Sequence, residues 1–283
     1  MNDSTIYQQS HAELAFLDNP PGRAGYFEED FGPCKLEGRI LYNRAGDDPT
    51  ILSVHGARGD YTKANPISFG LQKRGHSLLG MNMSGHSPAG VLLPEKTTLG
   101  NNILEVERFY GHLGTGRPRT IIGYSLGGTP ALELLKNHTG EIDNLVLFYP
   151  ALYSQRAYDK PYGAEFRDVI SAPFSYMHSG ALELLQNFKG KLLLIKGEFD
   201  GLEPAKYNKP AGTSVGEVII EGKKYYSPIP KQVIDLIYQA VPAERRQLIE
   251  VPGCDHSIIL WMRNNPQQAE ELVDQIDQFI RST

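Results

Sequence analysis

Six short apolar runs recur along the chain, bounded by Gly, Pro or polar residues, at positions 50–55 (TILSVH), 77–83 (SLLGMNM), 119–124 (RTIIGY), 144–149 (NLVLFY), 192–196 (LLLIK) and 246–251 (RQLIEV). None alternates apolar with polar residues, as expected of strands whose two faces are both covered. Between several of them lie stretches of helical period, near 62–74, 97–113, 126–138, 231–242 and 265–281. In the last, Leu272, Ile276, Phe279 and Ile280 fall on one stripe. This alternation predicts an α/β protein with a mostly parallel central sheet flanked by helices. Three earlier segments, HAELAFL, GYFEEDF and GRILYN, read as antiparallel strands at the sheet edge. No repeat or linker-like tract divides the chain, so residues 1–283 read as one domain with two excursions. Residues 150–190 exceed the dozen or so that a helix crossover needs, and carry Tyr153, Tyr158, Tyr162, Phe166, Phe174, Tyr176 and Phe188. A second excursion holds EVII and KKYY around Glu221-Gly222, a small extra hairpin at about 215–228.

A chain of 283 residues buries enough surface to need no staple, so Cys34 and Cys254 are read as reduced thiols. The balance of 28 basic against 33 acidic side chains, with no block of like charge, disfavours nucleic acid and anionic membranes as partners. No 18 apolar residues run together, and the first basic residue is Arg23, so a cytoplasmic protein without a leader is expected. The cysteines have no metal-binding spacing, and neither a metal nor a cofactor is expected.

The sharpest local feature is Gly123-Tyr124-Ser125-Leu126-Gly127, a G-x-S-x-G pattern. Chance alone gives roughly 0.1 such matches in a chain of this length. Its context decides: a strand-like run precedes it, and LGGTPALELLKNHTG follows as a helix with Pro130 tolerable in the first turn and Gly140 where a C-cap belongs. Ser125 is thereby expected at the carboxyl end of a central strand, on a tight turn where glycines remove clashing side chains.

A serine hydroxyl needs a base, and on such a fold the partners follow in the order Ser, acid, His. His138, His178 and His256 lie after Ser125. His138 falls in the last turn of the helix begun at the serine, and His178 in the aromatic excursion. His256, in VPGCDHS after the last strand, is the expected base. For the acid that orients it, Asp200 at the end of LLLIKGEFD leads, with Glu198 second and Glu203 and Asp255 as local competitors. Charge developing on a carbonyl oxygen calls for an oxyanion hole, whose donors are expected to be the backbone N–H groups of Leu126 and, in His55-Gly56-Ala57-Arg58, of Ala57. His55 is read as a structural histidine.

These segments together resemble the α/β-hydrolase superfamily over roughly residues 38–281. His55-Gly56 is similar to that family's oxyanion loop, Gly123 to Gly128 (GYSLGG) to its nucleophile elbow, Gly197 and Asp200 to its acid loop, and Gly253 and His256 to its histidine loop. Gly85-His86-Ser87 resembles another family loop, although Asn82 and Ser84 stand where Asp and Arg are usual. The resemblance implies that the 150–190 excursion is a cap or lid. Tyr124, Tyr153, Tyr158, Phe174 and Tyr176 are then candidate substrate-binding residues, the rival reading being that the aromatics only pack the cap onto the sheet. The extra hairpin suits either a narrowed pocket or a contact in a homodimer. Lys206, Lys209, Lys223 and Lys224 read as solvated surface charges before a docking patch for an anionic substrate.

The expected activity is that of a serine hydrolase cleaving an ester or thioester of a small-molecule acyl substrate. A C–C bond hydrolase, a peptidase or amidase, and a lyase or cyclase share the same residues as alternatives. A non-catalytic binding module on this fold is the alternative from another class.

Overall fold

The computed structural model describes residues 18–43, 47–86, 92–203 and 216–282. The HAELAFL run, Ser87, Lys206 and Lys209 lie outside them. Two antiparallel strands come first, β1 (Ala24–Asp30) and β2 (Lys35–Leu41). The alternating part follows with β3 (Ile51–Val54), α1 (Asn65–Lys73), β4 (Leu78–Met81), α2 (Leu99–Tyr110), β5 (Thr120–Tyr124), α3 (Gly128–Glu133), α4 (Leu135–His138) and β6 (Asn144–Phe148). Beyond β6 come α5 (Ala164–Ser171), α6 (Ala181–Asn187), β7 (Lys191–Gly197), β8 (Gly201–Glu203), β9 (Glu217–Ile220) and β10 (Lys223–Tyr226). The chain closes with α7 (Lys231–Ala240), β11 (Arg246–Val251), α8 (Ile258–Asn264) and α9 (Pro266–Arg281).

Eight strands form one sheet in the order β1-β2-β4-β3-β5-β6-β7-β11, antiparallel only at the β1–β2 and β2–β4 pairs. Strands β3, β4, β5 and β6 are wholly buried, which explains their unbroken apolar runs. Strand β11 departs from that expectation: it closes the sheet edge, pairs only with β7, and leaves Leu248 43% exposed. Helices α1 and α9 pack on each other, while α2, α3, α6 and α7 pack in succession as a second group. The α9 stripe of Leu272, Ile276, Phe279 and Ile280 is buried as its periodicity predicts. Helix α2 opens on a reciprocal capping box between Thr98 and Asn101.

The 150–190 excursion divides in two. Its last part, α6, is the crossover helix itself, packed against α3 and α7, and only the stretch before it is inserted. That insert is fastened to the start of α2, where Gly100 N–H donates to Tyr158 O at 2.8 Å and Tyr162 N–H to Thr97 O at 3.0 Å. The second excursion contains the expected hairpin, β9 paired antiparallel with β10. Gly140 does not adopt the left-handed conformation of a C-cap glycine; the helix ends through α4 with a right-handed Thr139.

A buried polar network joins β4, α2 and the insert beneath the loop after β3. Asn102 Oδ1 accepts from Tyr162 OH at 2.6 Å and from His86 Nε2 at 2.9 Å, while its Nδ2 donates to Glu105 Oε2 at 2.9 Å. Glu105 also accepts the Ser84 N–H at 3.0 Å and the Ser84 hydroxyl. The His86 ring lies 6.2 Å from that of His55, whose Nδ1–H donates to Gly56 O at 2.7 Å and whose Nε2 accepts from Met83 N–H at 3.0 Å. Both ring nitrogens of His55 are thus engaged by a neutral imidazole, which fixes its tautomer. Burial pushes His55 down to about 4 and His86 to about 3, each kept neutral across the physiological range. The sign follows from linkage: below pH 6.5 the unfolded chain takes up protons that these folded histidines refuse, so stability falls with pH from 6.5 toward 4, by up to about 1.4 kcal/mol per pH unit for each. Glu105, whose carboxyl is pushed up by burial, acts in the opposite sense above its ordinary range. Urea titrations at pH 7, 6 and 5 should show this decline, and His86→Gln, which keeps an amide donor for Asn102, should make it shallower. An unchanged slope in that variant would mean that His86 takes up its proton as readily in the folded as in the unfolded chain.

Candidate active site

The carboxyl ends of β3, β5, β7 and β11 bring together segments that are far apart in the sequence. Ser125 follows β5 at the start of a single 3₁₀ turn, Ser125–Gly127, that leads into α3. Its φ of +49° lies in the left-handed region, a conformation that costs a non-glycine residue about 1 kcal/mol or more. The surroundings enforce it. A Cβ on Gly127 would stand 2.6 Å from Val54 O and would also run into His55 O, and one on Gly128 would stand 2.6 Å from Pro150 Cβ. The turn can therefore press against the end of β3 only where it carries no side chain.

His256 lies in the loop after β11, its ring mostly buried. His256 Nε2 is 2.9 Å from Ser125 Oγ, and His256 Nδ1 is 2.8 Å from Asp200 Oδ2. An Nδ1–H donated to the carboxylate leaves Nε2 as acceptor for the serine hydroxyl, which is the tautomer a base requires. Asp200, 4% exposed, follows β7, and its Oδ1 accepts from Gly201 N–H at 3.0 Å. The acid and histidine loops touch at Gly197, where a Cβ would stand 2.6 Å from Asp255 O, and Phe199 N–H donates to Cys254 O at 2.8 Å. Two of the competing acids, Glu198 and Asp255, are occupied elsewhere. Glu198 is exposed and accepts the Gly253 N–H at 2.8 Å, while Asp255 accepts the N–H groups of Tyr226 and Ser257, both at 2.8 Å.

The loop after β3 lies over the serine. A Cβ on Gly56 would stand 3.3 Å from Ser125 Cβ and 3.1 Å from Tyr124 O, so Ala57 follows directly beside the Ser125 turn. Leu126 is buried in the first turn of its helix, where an N–H has no helical carbonyl behind it.

The aromatic residues divide. Tyr124 is buried, 6% exposed, with its ring stacked on Phe148 at 4.6 Å. It packs in the hydrophobic core. Tyr158 donates its hydroxyl to Glu133 Oε1 at 2.7 Å, tying the insert to α3. Tyr176 is buried within the insert, and Phe174 is 39% exposed with its ring 6.3 Å from Tyr176. Tyr153 packs on Phe166 at 5.3 Å, and burial pushes its hydroxyl well up, with nearby Tyr226 adding to the shift. His138 is held by Glu107 at 2.7 Å, away from the site, and His178 is exposed.

Three further residues surround the histidine and its acid, and no motif marks them. The Tyr149 ring, on a backbone with φ +32°, lies 4.5 Å from the His256 ring. Tyr226, the last residue of β10, packs its ring 5.5 Å from His256 and accepts the His256 backbone N–H at 2.8 Å. Ser227 is fully buried; its Oγ accepts from Leu202 N–H at 2.8 Å and sits 3.5 Å from Asp200 Oδ1. The hairpin is thus fastened to both the acid and the histidine. Its lysines fit the reading of surface charges: Lys223 is exposed, and Lys224 pairs with Glu217 at 3.2 Å. Among the described residues no group of side chains has a metal-binding arrangement, and no helix is long and apolar enough to cross a membrane. Both cysteines are free thiols.

No family model matches the sequence, and no curated protein matches it. Solved structures do. The esterase Est1E from Butyrivibrio proteoclasticus, in a complex with ferulic acid, superposes with a TM-score of 0.62 at 15% identity, over 90% of this chain and 98% of that one. The thioesterase domain from the curacin biosynthetic pathway gives 0.58 at 13% identity, over 89% and 99%. A serine hydrolase from the polyaromatic-hydrocarbon-degrading bacterium Cycloclasticus zankles gives 0.55 at 14% identity, over 90% and 99%. Likeness at such identities is likeness of architecture, and the architecture of this chain is the α/β-hydrolase fold.

Proposed function

We propose that the protein is a serine hydrolase that cleaves an ester or thioester through an acyl-enzyme. The observation that carries this reading is the hydrogen-bonded chain from Asp200 through His256 to Ser125, at 2.8 and 2.9 Å. Ser125 Oγ attacks the acyl carbonyl as His256 Nε2 takes its proton. The imidazolium so formed is stabilised by Asp200 and returns the proton to the leaving alcohol or thiol. Water, activated by the same histidine, then releases the acyl group. The N–H groups of Leu126 and Ala57 receive the developing oxyanion, donors of a kind worth about 3 to 4 kcal/mol each. The similar esterase and thioesterase structures support acyl transfer over the lyase and C–C hydrolase alternatives. Tyr153 and Tyr226 are proposed to face the substrate in place of Tyr124.

An alkyl fluorophosphonate followed by peptide mapping tests the nucleophile: folded protein should label at Ser125 and nowhere else, and Ser125→Ala should not label. A label on another serine would reject the assignment, and no label at all would reject a serine hydrolase. Asp200→Asn should lower turnover of an activated ester by about 10⁴-fold with the fold intact by circular dichroism, since the wrong histidine tautomer is then favoured. If Glu198→Gln has that effect instead, Glu198 is the acid. Ser227→Ala, which removes a hydroxyl beside Asp200 without touching the histidine, should lower kcat by about tenfold with KM unchanged, the size of one lost hydrogen bond to a charged group. An unchanged kcat would make Ser227 a packing residue only.

A further inference from the structure

Lys63 is a cation at the loop that lies over Ser125, and among the described residues no carboxylate forms an ion pair with it. Lys63 belongs to the 3₁₀ turn Tyr61–Ala64, directly after the loop that covers Ser125. Its side chain runs back over Gly59, where a Cβ would stand 2.6 Å from Lys63 Cδ, and its Nζ reaches Ala57 O at 3.5 Å. Gly59 thus leaves open the corridor through which the ammonium approaches the loop. That carbonyl is the ammonium's sole hydrogen-bond partner among the described residues, and no carboxylate among them pairs with it. The adjacent Asp60 spends its Oδ1 on capping the turn, accepting the Thr62 N–H at 2.8 Å and the Thr62 hydroxyl.

Burial pushes Lys63 down to about 8, with Asp60 opposing and Arg58 adding to the shift, so it still carries charge at neutral pH. Its charge is felt by both His55 and His86. The ammonium therefore faces the β3–β4 side of the site, where the histidines are neutral and cannot compensate it. Arg58, exposed on a backbone with φ +55°, is near enough to act electrostatically on both Lys63 and Tyr226. A half-buried ammonium held by one long carbonyl contact is costly, and an anion of a bound molecule would supply a partner for it.

We propose that Lys63 and Arg58 form an anion subsite beside Ser125 that binds a carboxylate carried on the acyl part of the substrate. This rests on the reading of Ser125 as the nucleophile. The acyl side follows from geometry: the leaving group takes its proton from His256 and departs toward β7 and β11, whereas Lys63 lies on the opposite, β3–β4 side. The substrate class is then the monoester or monothioester of a short dicarboxylic acid.

The test compares aryl monoesters of succinic and glutaric acids with neutral esters of the same length, and with esters whose carboxylate is on the alcohol. The wild-type protein should prefer the charged acyl group by about tenfold or more in kcat/KM, as for a charge-assisted contact. Lys63→Met should abolish that preference while changing the neutral ester less than about threefold, and Lys63→Arg should restore part of it. Preference for the carboxylate on the alcohol, equal turnover of charged and neutral acyl groups, or an equal loss on both in Lys63→Met would overturn the proposal. Calorimetric titration of glutarate into Ser125→Ala protein gives a readout independent of hydrolysis. Binding that disappears in Ser125→Ala/Lys63→Met supports the subsite even if no ester is cleaved, and absence of binding to Ser125→Ala rejects it.

Discussion

The contact on which the site depends is the one between the turn after β5 and the end of β3. Gly127 lies against the carbonyls of Val54 and His55, and Gly56 in return lies against Tyr124 O and Ser125. Two adjacent parallel strands are drawn together at their carboxyl ends more closely than any side chain would allow. Ser125 is left in a left-handed conformation, and Ala57 is set beside it. The strain is sustained because the sheet on either side is wholly buried, so relaxing the turn would require moving β3 or β5 within a packed core.

The acid and the histidine are held differently. They come from the last two parallel strands, at an edge of the sheet where β11 has a neighbour on one side only. Support comes instead from the β9–β10 hairpin, whose final residues bond the His256 backbone and sit beside Asp200. An element that looks like a decoration in the chain order is thus part of the frame that keeps Asp200 and His256 in register. The rings of Tyr149 and Tyr226 close the histidine on two sides, which limits its rotation away from Ser125.

What the sequence revealed and concealed follows from which interactions are local. Strand-end loops after buried apolar runs are a local pattern, so Ser125, Asp200 and His256 were legible, and the structure brings them together. The packing of Tyr124 was not legible, because the motif places it next to the serine in sequence while its ring stacks on Phe148 of the neighbouring strand. The aromatic excursion hid its own division, since a crossover helix and an inserted segment have similar composition. Ser227 and Tyr226 were illegible because their role depends on the register between a hairpin and two distant loops. The lysines of the second excursion drew attention by their number, while Lys63, single and placed in an ordinary turn, is the one whose ammonium has only a carbonyl as hydrogen-bond partner among the described residues.

Gly197 repeats at the acid loop what Gly127 does at the nucleophile turn: its missing side chain is what lets the backbone of Cys254 and Asp255 come close. The two halves of the site are therefore both held by absences. Alanine scanning assigns importance by removing atoms, and at most positions that is informative. Here the decisive positions have nothing to remove, so a map of functional residues made by truncation would pass over them, and only substitutions that add a methyl group would find them.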